Sequence, residues 1–396
     1  MTDGQTPLSG FGGLGEIDEP RNIKVRQETS LERVLALADA FIQEPIDEVM
    51  DYMDVDYFDE IFAEYSSRIY WQLSKQLADV RIDEKTIEDV VFCKFNSDYS
   101  EDKKVALGVF TGVLAQIVTE KNQSHGKRTR IYINGKGNKF DYLFFGANNV
   151  DEIFLQNLRG NDICRLIQNA SRLVGADLRG DNIFNGCGGG VEEEKNKQVK
   201  ELSGCDSDIK KGKDKQVKEI IVMGLKGDNN INYLRNVAYL TAIGINGRNN
   251  ITVSTNDGNV ERIVGISINN TYLLNIISSG SCAEIIFMGA GENTNMRSPV
   301  KTTKLVSYID IPPVINAELC TIIYGSSSKE YEQSKRCIDA DKFIYGCTEE
   351  HMHHNDCLNA GKLARHLKYK PQEEIVKIVD EVIRYVHELS SRLLMR

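Results

Sequence analysis

Apolar positions between Val150 and Val260 return about every 20 residues, in phase with a Gly-Asn type corner. Val150-x-x-Ile153-x4-Leu158-Arg-Gly160-Asn161-x-Ile163 recurs as Ala170-x-x-Leu173-x4-Leu178-Arg-Gly180-Asp181-x-Ile183. It returns around Ile220, Leu225 and Gly227-Asp228, around Leu240, Ile245 and Gly247-Arg248, and more loosely around Ile263 and Ile268-Asn-Asn270. A fixed short period of strand-forming residues predicts a solenoid, because one coil cannot bury its apolar face alone and must stack on the next. Glycine adopts left-handed dihedrals without steric penalty and Asn tolerates them best, which accounts for the corners.

The expected fold is therefore mainly β: a parallel β-solenoid of about eight coils over residues 128–323, with Ile153, Leu173, Ile220, Leu240 and Ile263 in one column. A right-handed β-helix is expected from the general rule for crossover connections. Gly137, Asn138 and Phe140 are read as the counterparts of Gly160, Asn161 and Ile163 in an incomplete first coil. Later coils are read at Cys282 and Ile285 and at Thr303 and Val306, before Pro312-Pro313 stops the pattern. A polar insertion near 188–216 interrupts it, and KNKQVKEL at 195–202 echoes KDKQVKEI at 213–220. The echo predicts one poor coil held by Val199 and Leu202, with protruding flanks.

Helical periodicity brackets the repeats. Residues 1–27 read as a disordered tail and 28–122 as an acidic helical domain. Thr29-Ser30-Leu31-Glu32 has capping-box spacing, and helices are predicted over about 56–77 and 101–120, with a short strand at Asp89 to Phe95. Residues 324–396 read as a Cys/His segment followed by a capping helix, whose Ile375, Val379, Val382, Val386, Leu389 and Leu393 step by 4 and 3. That spacing fits a helix across the open solenoid end, or self-association into a homo-oligomer.

Charge changes the picture only locally. The first 100 residues hold 9 basic and 22 acidic residues, so the net charge of -10 belongs to the first quarter of the chain. That field disfavours nucleic acid, and the basic cluster of Lys121, Lys127, Arg128, Arg130, Lys136 and Lys139 sits beside aromatics at coil-core spacing. The acids between Glu44 and Glu64 lack the glycine turn of a calcium loop and read as a solvated helix face. No apolar run is long enough to span a bilayer, and Met1 to Pro20 lacks signal-peptide character, so a cytoplasmic protein away from membranes is expected. Nine cysteines without framework spacing read as reduced thiols.

The sharpest chemical constellation is Cys347, His351, His353, His354 and Cys357. Thiolate and imidazole suit tetrahedral zinc, and Cys347, His351, His354 and Cys357 are the four ligands the spacing favours, against a solvated turn before the last helix. No other cofactor and no catalytic set is indicated. The leading expectation is a non-catalytic scaffold that binds a protein partner through its sheet face or helical ends. A polysaccharide-acting β-helix enzyme is a further reading. The order helical piece, β-helix, helical piece resembles in outline the SUF iron-sulfur scaffold proteins. The resemblance implies metal or iron-sulfur assembly and carries no individual residue across.

Overall fold

The computed structural model describes residues 29–43, 58–188, 216–248 and 250–253, the later strands named below, and positions 374, 377, 378, 380, 381 and 384. Among these residues the branched repeat positions build one long parallel sheet. Its strands are β1 Arg130–Asn134, β2 Val150–Arg159, β3 Ala170–Arg179, β4 Val217–Met223, β5 Val237–Ile243, β6 Asn259–Ile266, β7 Ser281–Ala290, β8 Lys301–Ile309, β9 Ile322–Tyr324 and β10 Phe343–Ile344. They lie side by side in that order, each parallel to the next, so the chain completes a coil between neighbours. The protein is a parallel β-solenoid with helices before it. One register column runs Ile131, Ile153, Leu173, Ile220, Leu240, Ile263, Ile285, Leu305, Ile322 and Phe343. The first six of these are at most 1% exposed and belong to the interior core.

Two corners close each wall strand. The first falls at Asn157, Asp177, Gly224 and Gly244, all at φ between 48° and 73°. An inward apolar residue follows (Leu158, Leu178, Leu225 or Ile245, each fully buried) and then the second corner at Gly160, Gly180, Gly227 and Gly247. Beyond it the side-chain oxygens of Asp141, Asn161, Asp181 and Asp228 accept from the backbone N–H of Asn161, Asp181, Asp228 and Arg248, at 2.7–3.1 Å. This ladder ties each corner to the next coil.

The return side is a ribbon of turns. Left-handed residues alternate along it: Tyr142 and Phe144, Asp162, Cys164 and Leu166, Asn182 and Phe184, Asn229, Ile231 and Tyr233. Its N–H groups still find carbonyls in adjacent coils, as in Asp162 to Asp181 (2.9 Å) and Cys164 to Leu143 (2.8 Å), so the backbone is satisfied without a strand. Further along, Thr252–Val253, Leu274–Ile276 and Met296–Arg297 do form a small three-stranded sheet.

The structure corrects four readings, three of them through register. In the first coil Gly160 stacks on Phe140 and Asn161 on Asp141, so the corner lies at 140–141, not at 137–138. Two extra residues near Gly135–Gly137 produce the offset, since Asn134 pairs with Gln156 and Lys139 with Arg159. Ala170 pairs directly with Val217, so no coil held by Val199 and Leu202 stands between β3 and β4; residues 189–215 lie outside the described residues. Thr302 and Leu305, rather than Thr303 and Val306, occupy the repeat positions in β8. A one-residue slip exchanges the faces of a strand.

The fourth correction concerns the helices α1 Ser30–Phe41, α2 Phe58–Gln76, α3 Glu84–Lys94 and α4 Glu101–Ser124. The span Asp89 to Phe95 is not a strand: α3 runs through it to Lys94, started by a capping box between Asp83 and Thr86. Thr29 and Glu32 form the expected box on α1. Helix α4 is buried on nearly all sides from Val105 to Gln116 because it lies between the other helices and the first coil. Gly108 and Gly112 allow the approach: a methyl group on either would stand 2.2 Å from the Tyr142 carbonyl oxygen or 2.7 Å from that of Phe145. The Thr111 hydroxyl accepts from the Phe144 N–H at 3.1 Å.

Candidate interaction surface

Alternation puts Ile131, Ile153, Leu173, Ile220 and Leu240 inside the solenoid, so their neighbours face outward, and those neighbours are not the polar set a half-wet wall would carry. Phe154, Val174 and Ile221 form one outer row in register with Tyr132 and Thr241. Gln156, Ala176, Met223 and Ile243 form the next. All of Phe154, Val174, Ile221, Ala176, Met223 and Ile243 are at most 1% exposed, yet none belongs to the contiguous interior core. The wall is apolar on both faces.

A charged row borders this second layer. It runs Arg130, Glu152, Arg172, Glu219, Tyr239, Arg262, Glu284 and Lys304, alternating in sign wherever charges are adjacent. The guanidinium Nε of Arg130 lies 2.6 Å from Glu152 and that of Arg172 lies 2.8 Å from Glu219. Arg262 stands 5.9 Å over the Tyr239 ring and Arg130 stands 5.3 Å over that of Phe154. Cross-strand opposite charges stabilise neighbouring coils, and their alternation holds the row in one register. Arg172 also reaches across the chain: its Nη1 is 2.8 Å from the Asp380 carboxylate. Positions 374, 377, 378, 380, 381 and 384 are all helical, so a C-terminal helix meets the solenoid on the outside of β3.

Two other polar clusters are structural. At the junction of α4 and the first coils, Tyr142 donates to Glu101 at 2.6 Å, Lys104 and Lys139 hold Asp141 at 3.4 and 2.8 Å, and Arg165 holds Asp162 at 2.8 Å. Burial lifts the Asp162 carboxyl above its ordinary value, with Arg165 opposing, and burial likewise pushes the Tyr142 hydroxyl up. Inside the solenoid the Cys187 thiol donates to the Cys164 carbonyl at 3.2 Å; burial raises Cys187 to about 12 and Cys164 well above a free thiol. These two are packing residues rather than nucleophiles.

Cys347, His351, His354 and Cys357 lie outside the described residues, and so does His353. Among the described residues no group of three His, Cys, Asp or Glu side chains could hold a metal ion. The basic cluster is spent on ion pairs in part: Arg128 and Arg130 on Glu152, Lys139 on Asp141. Phe140 and Tyr142 beside it are buried in the core, but Phe140 stands at the corner opposite Gly160 and not at the Ile163 position, and Tyr132 lies in the outer row opposite Phe154. Of the acids between Glu44 and Glu64, those before Phe58 are outside the described residues, and the later ones fall on α2. No described helix is long and apolar enough to cross a membrane.

The outer rows went unread in the sequence, although the signal was present. Ile153-Phe154-Leu155 and Ile220-Ile221-Val222-Met223 are continuous apolar runs, the mark of a strand covered on both faces. No family model, no curated protein and no solved structure matches the chain.

Proposed function

We propose that this chain is a non-catalytic intracellular interaction scaffold, a right-handed β-helix of about eight coils, capped at both ends, that binds a protein partner on its outer wall. One observation carries the reading: a second apolar layer, Val174, Ile221, Met223 and Ile243, on the far side of a wall whose interior core is already complete. Burial of such a layer stabilises the wall by roughly 25 cal/mol per Å² of apolar area removed from water, so the face favours an apolar cover. The charged row along its border supplies direction and discrimination, since an amphipathic helix must set acids against Arg172 and Arg262 and bases against Glu219. The described carboxylates Glu152 and Glu219 are held by guanidinium groups, an arrangement suited to registering a partner more than to acid-base chemistry.

Photo-crosslinking in cells tests this. A benzoylphenylalanine at Tyr239, on the border of the outer wall, is expected to capture a partner segment whose apolar residues step by 3 and 4, and Ile221→Arg should abolish the adduct. The same group at Tyr233, 53% exposed on the turn ribbon, should capture nothing. Equal adducts at both positions, or an adduct indifferent to Ile221→Arg, would overturn the assignment.

A further inference from the structure

The Arg172–Asp380 ion pair joins residues 208 positions apart and lands on the row that borders the outer apolar layer. Of the helical positions around Asp380, Glu374, Lys377, Glu381 and Arg384 are exposed and Ile378 is half-buried. At 100° per residue those four exposed positions share one side of a helix, and the sequence of the segment carries its apolar residues Ile375, Val379, Val382 and Val386 at steps of 4, 3 and 4. Asp380 lies at the edge of the polar arc, where a carboxylate can reach a charge bordering an apolar face.

We propose that the C-terminal helix is the resident occupant of the outer wall, latched by Asp380 on Arg172, and that a partner enters by displacing it. The proposal rests on the outer wall being the binding face. It names the partner's chemistry: an amphipathic helix carrying a carboxylate where this chain carries Asp380. Because the resident helix belongs to the same chain, its contact with the wall is intramolecular, and a competitor must overcome that advantage. The ion pair is the adjustable part. Its Arg172 side is 23% exposed and its Asp380 side 53%, so it adds modestly to an apolar contact, and a substitution at Asp380 breaks it while Arg172 keeps its pair with Glu219.

The test uses the full chain and a fluorescein-labelled synthetic peptide of residues 371–396, with anisotropy and hydrogen exchange as readouts. Asp380→Arg places like charges at the latch, and should speed amide exchange over 374–384 and tighten peptide binding by about threefold to tenfold relative to wild type. The milder Asp380→Asn removes the charge of the latch, leaves Arg172 on Glu219, and should move both readouts in the same direction by a smaller amount. Unchanged exchange with no gain in peptide binding would overturn the latch and leave the outer wall standing as the partner's site. Faster exchange without peptide capture would overturn the outer wall as a helix-binding face, and the latch proposal with it.

Discussion

A methyl group on Gly180 would stand 1.9 Å from the carbonyl oxygen of Gly160, on a backbone at φ +149°. The same is true along the stack, with 2.0 Å at Gly227 and 1.8 Å at Gly247, so the glycine column is set by contact between coils as much as by dihedral preference. Gly180→Ala is expected to cost about 2–5 kcal/mol, from clash and strain together, read as a shift of the urea midpoint. Asp162 makes a prediction of the opposite kind from ordinary carboxylates. Its folded-state value is raised by burial, so its contribution to stability is greatest below the ordinary carboxylate value of 3.8 and is lost as pH climbs through the raised value. Asp83, held low by the Thr86 N–H it accepts from, behaves in reverse: its contribution is present above 3.8 and lost as pH falls. Urea midpoints at a series of pH values should show wild type losing stability relative to Asp162→Asn as pH rises from about 4 to 7. A difference that grows in favour of wild type would mean that the Arg165 pair outweighs burial.

At the scale of one coil, the turn ribbon explains why the return side carries no strand signature. Left-handed residues at every second position break the extended backbone, while the alternate apolar residues Ile163 and Ile167 still point inward and are fully buried. The ribbon lacks the alternation of a strand, since the consecutive residues Ile163 and Cys164, like Leu143, Phe144 and Phe145, all belong to the interior core. The insertion is legible in a different way. Val150 pairs with Ala170 at a spacing of 20 residues, and Ala170 pairs with Val217 at 47, an excess of 27 that equals the length of 189–215. Gly188 and Gln216 therefore hold the adjacent coil positions that Gln168 and Asn169 hold one coil earlier, where Ala170 N–H bonds the Gln216 carbonyl as Val150 N–H bonds that of Asn169. Excising 189–215 and joining Gly188 to Gln216 is expected to leave a folded solenoid with an unbroken 20-residue period. Loop-closure entropy changes slowly with length, so the urea midpoint should move by no more than about 1–2 kcal/mol equivalent. Loss of the circular-dichroism strand signal in the excised protein would show that the insertion is part of the coil stack.

Over the whole molecule the helices meet the need that a stack of coils creates, which is to cover an open edge of unpaired strand and apolar core. Helix α4 meets it at the first coil through Gly108 and Gly112. Gly108→Leu should lift α4 from Tyr142, lower the unfolding midpoint and expose the β1 edge; light scattering is expected to give a larger mass than wild type at the same concentration. A variant with the mass and midpoint of wild type would mean that the edge is protected by other parts of the chain.

The amino-acid order by itself determined the period, the Gly and Asn/Asp corners, the inward column from Ile153 to Ile263, the single capping box at Thr29 and the presence of the α4 helix, because each is a demand of its own local segment. Slips arose at Gly135–Gly137, where two residues are added, and at Thr302–Thr303, where Thr302-Thr303 and Leu305-Val306 offer two similar registers, since register depends on the neighbouring coil and not on the segment itself. Only the tertiary structure decided that β3 stacks directly on β4, that α4 sits against the first coil, and that the outside of the wall is buried as deeply as its inside. The reason is that a strand's second face is assigned by whatever lies across it, and Asp380, which meets Arg172 on that face, is 208 residues away along the chain.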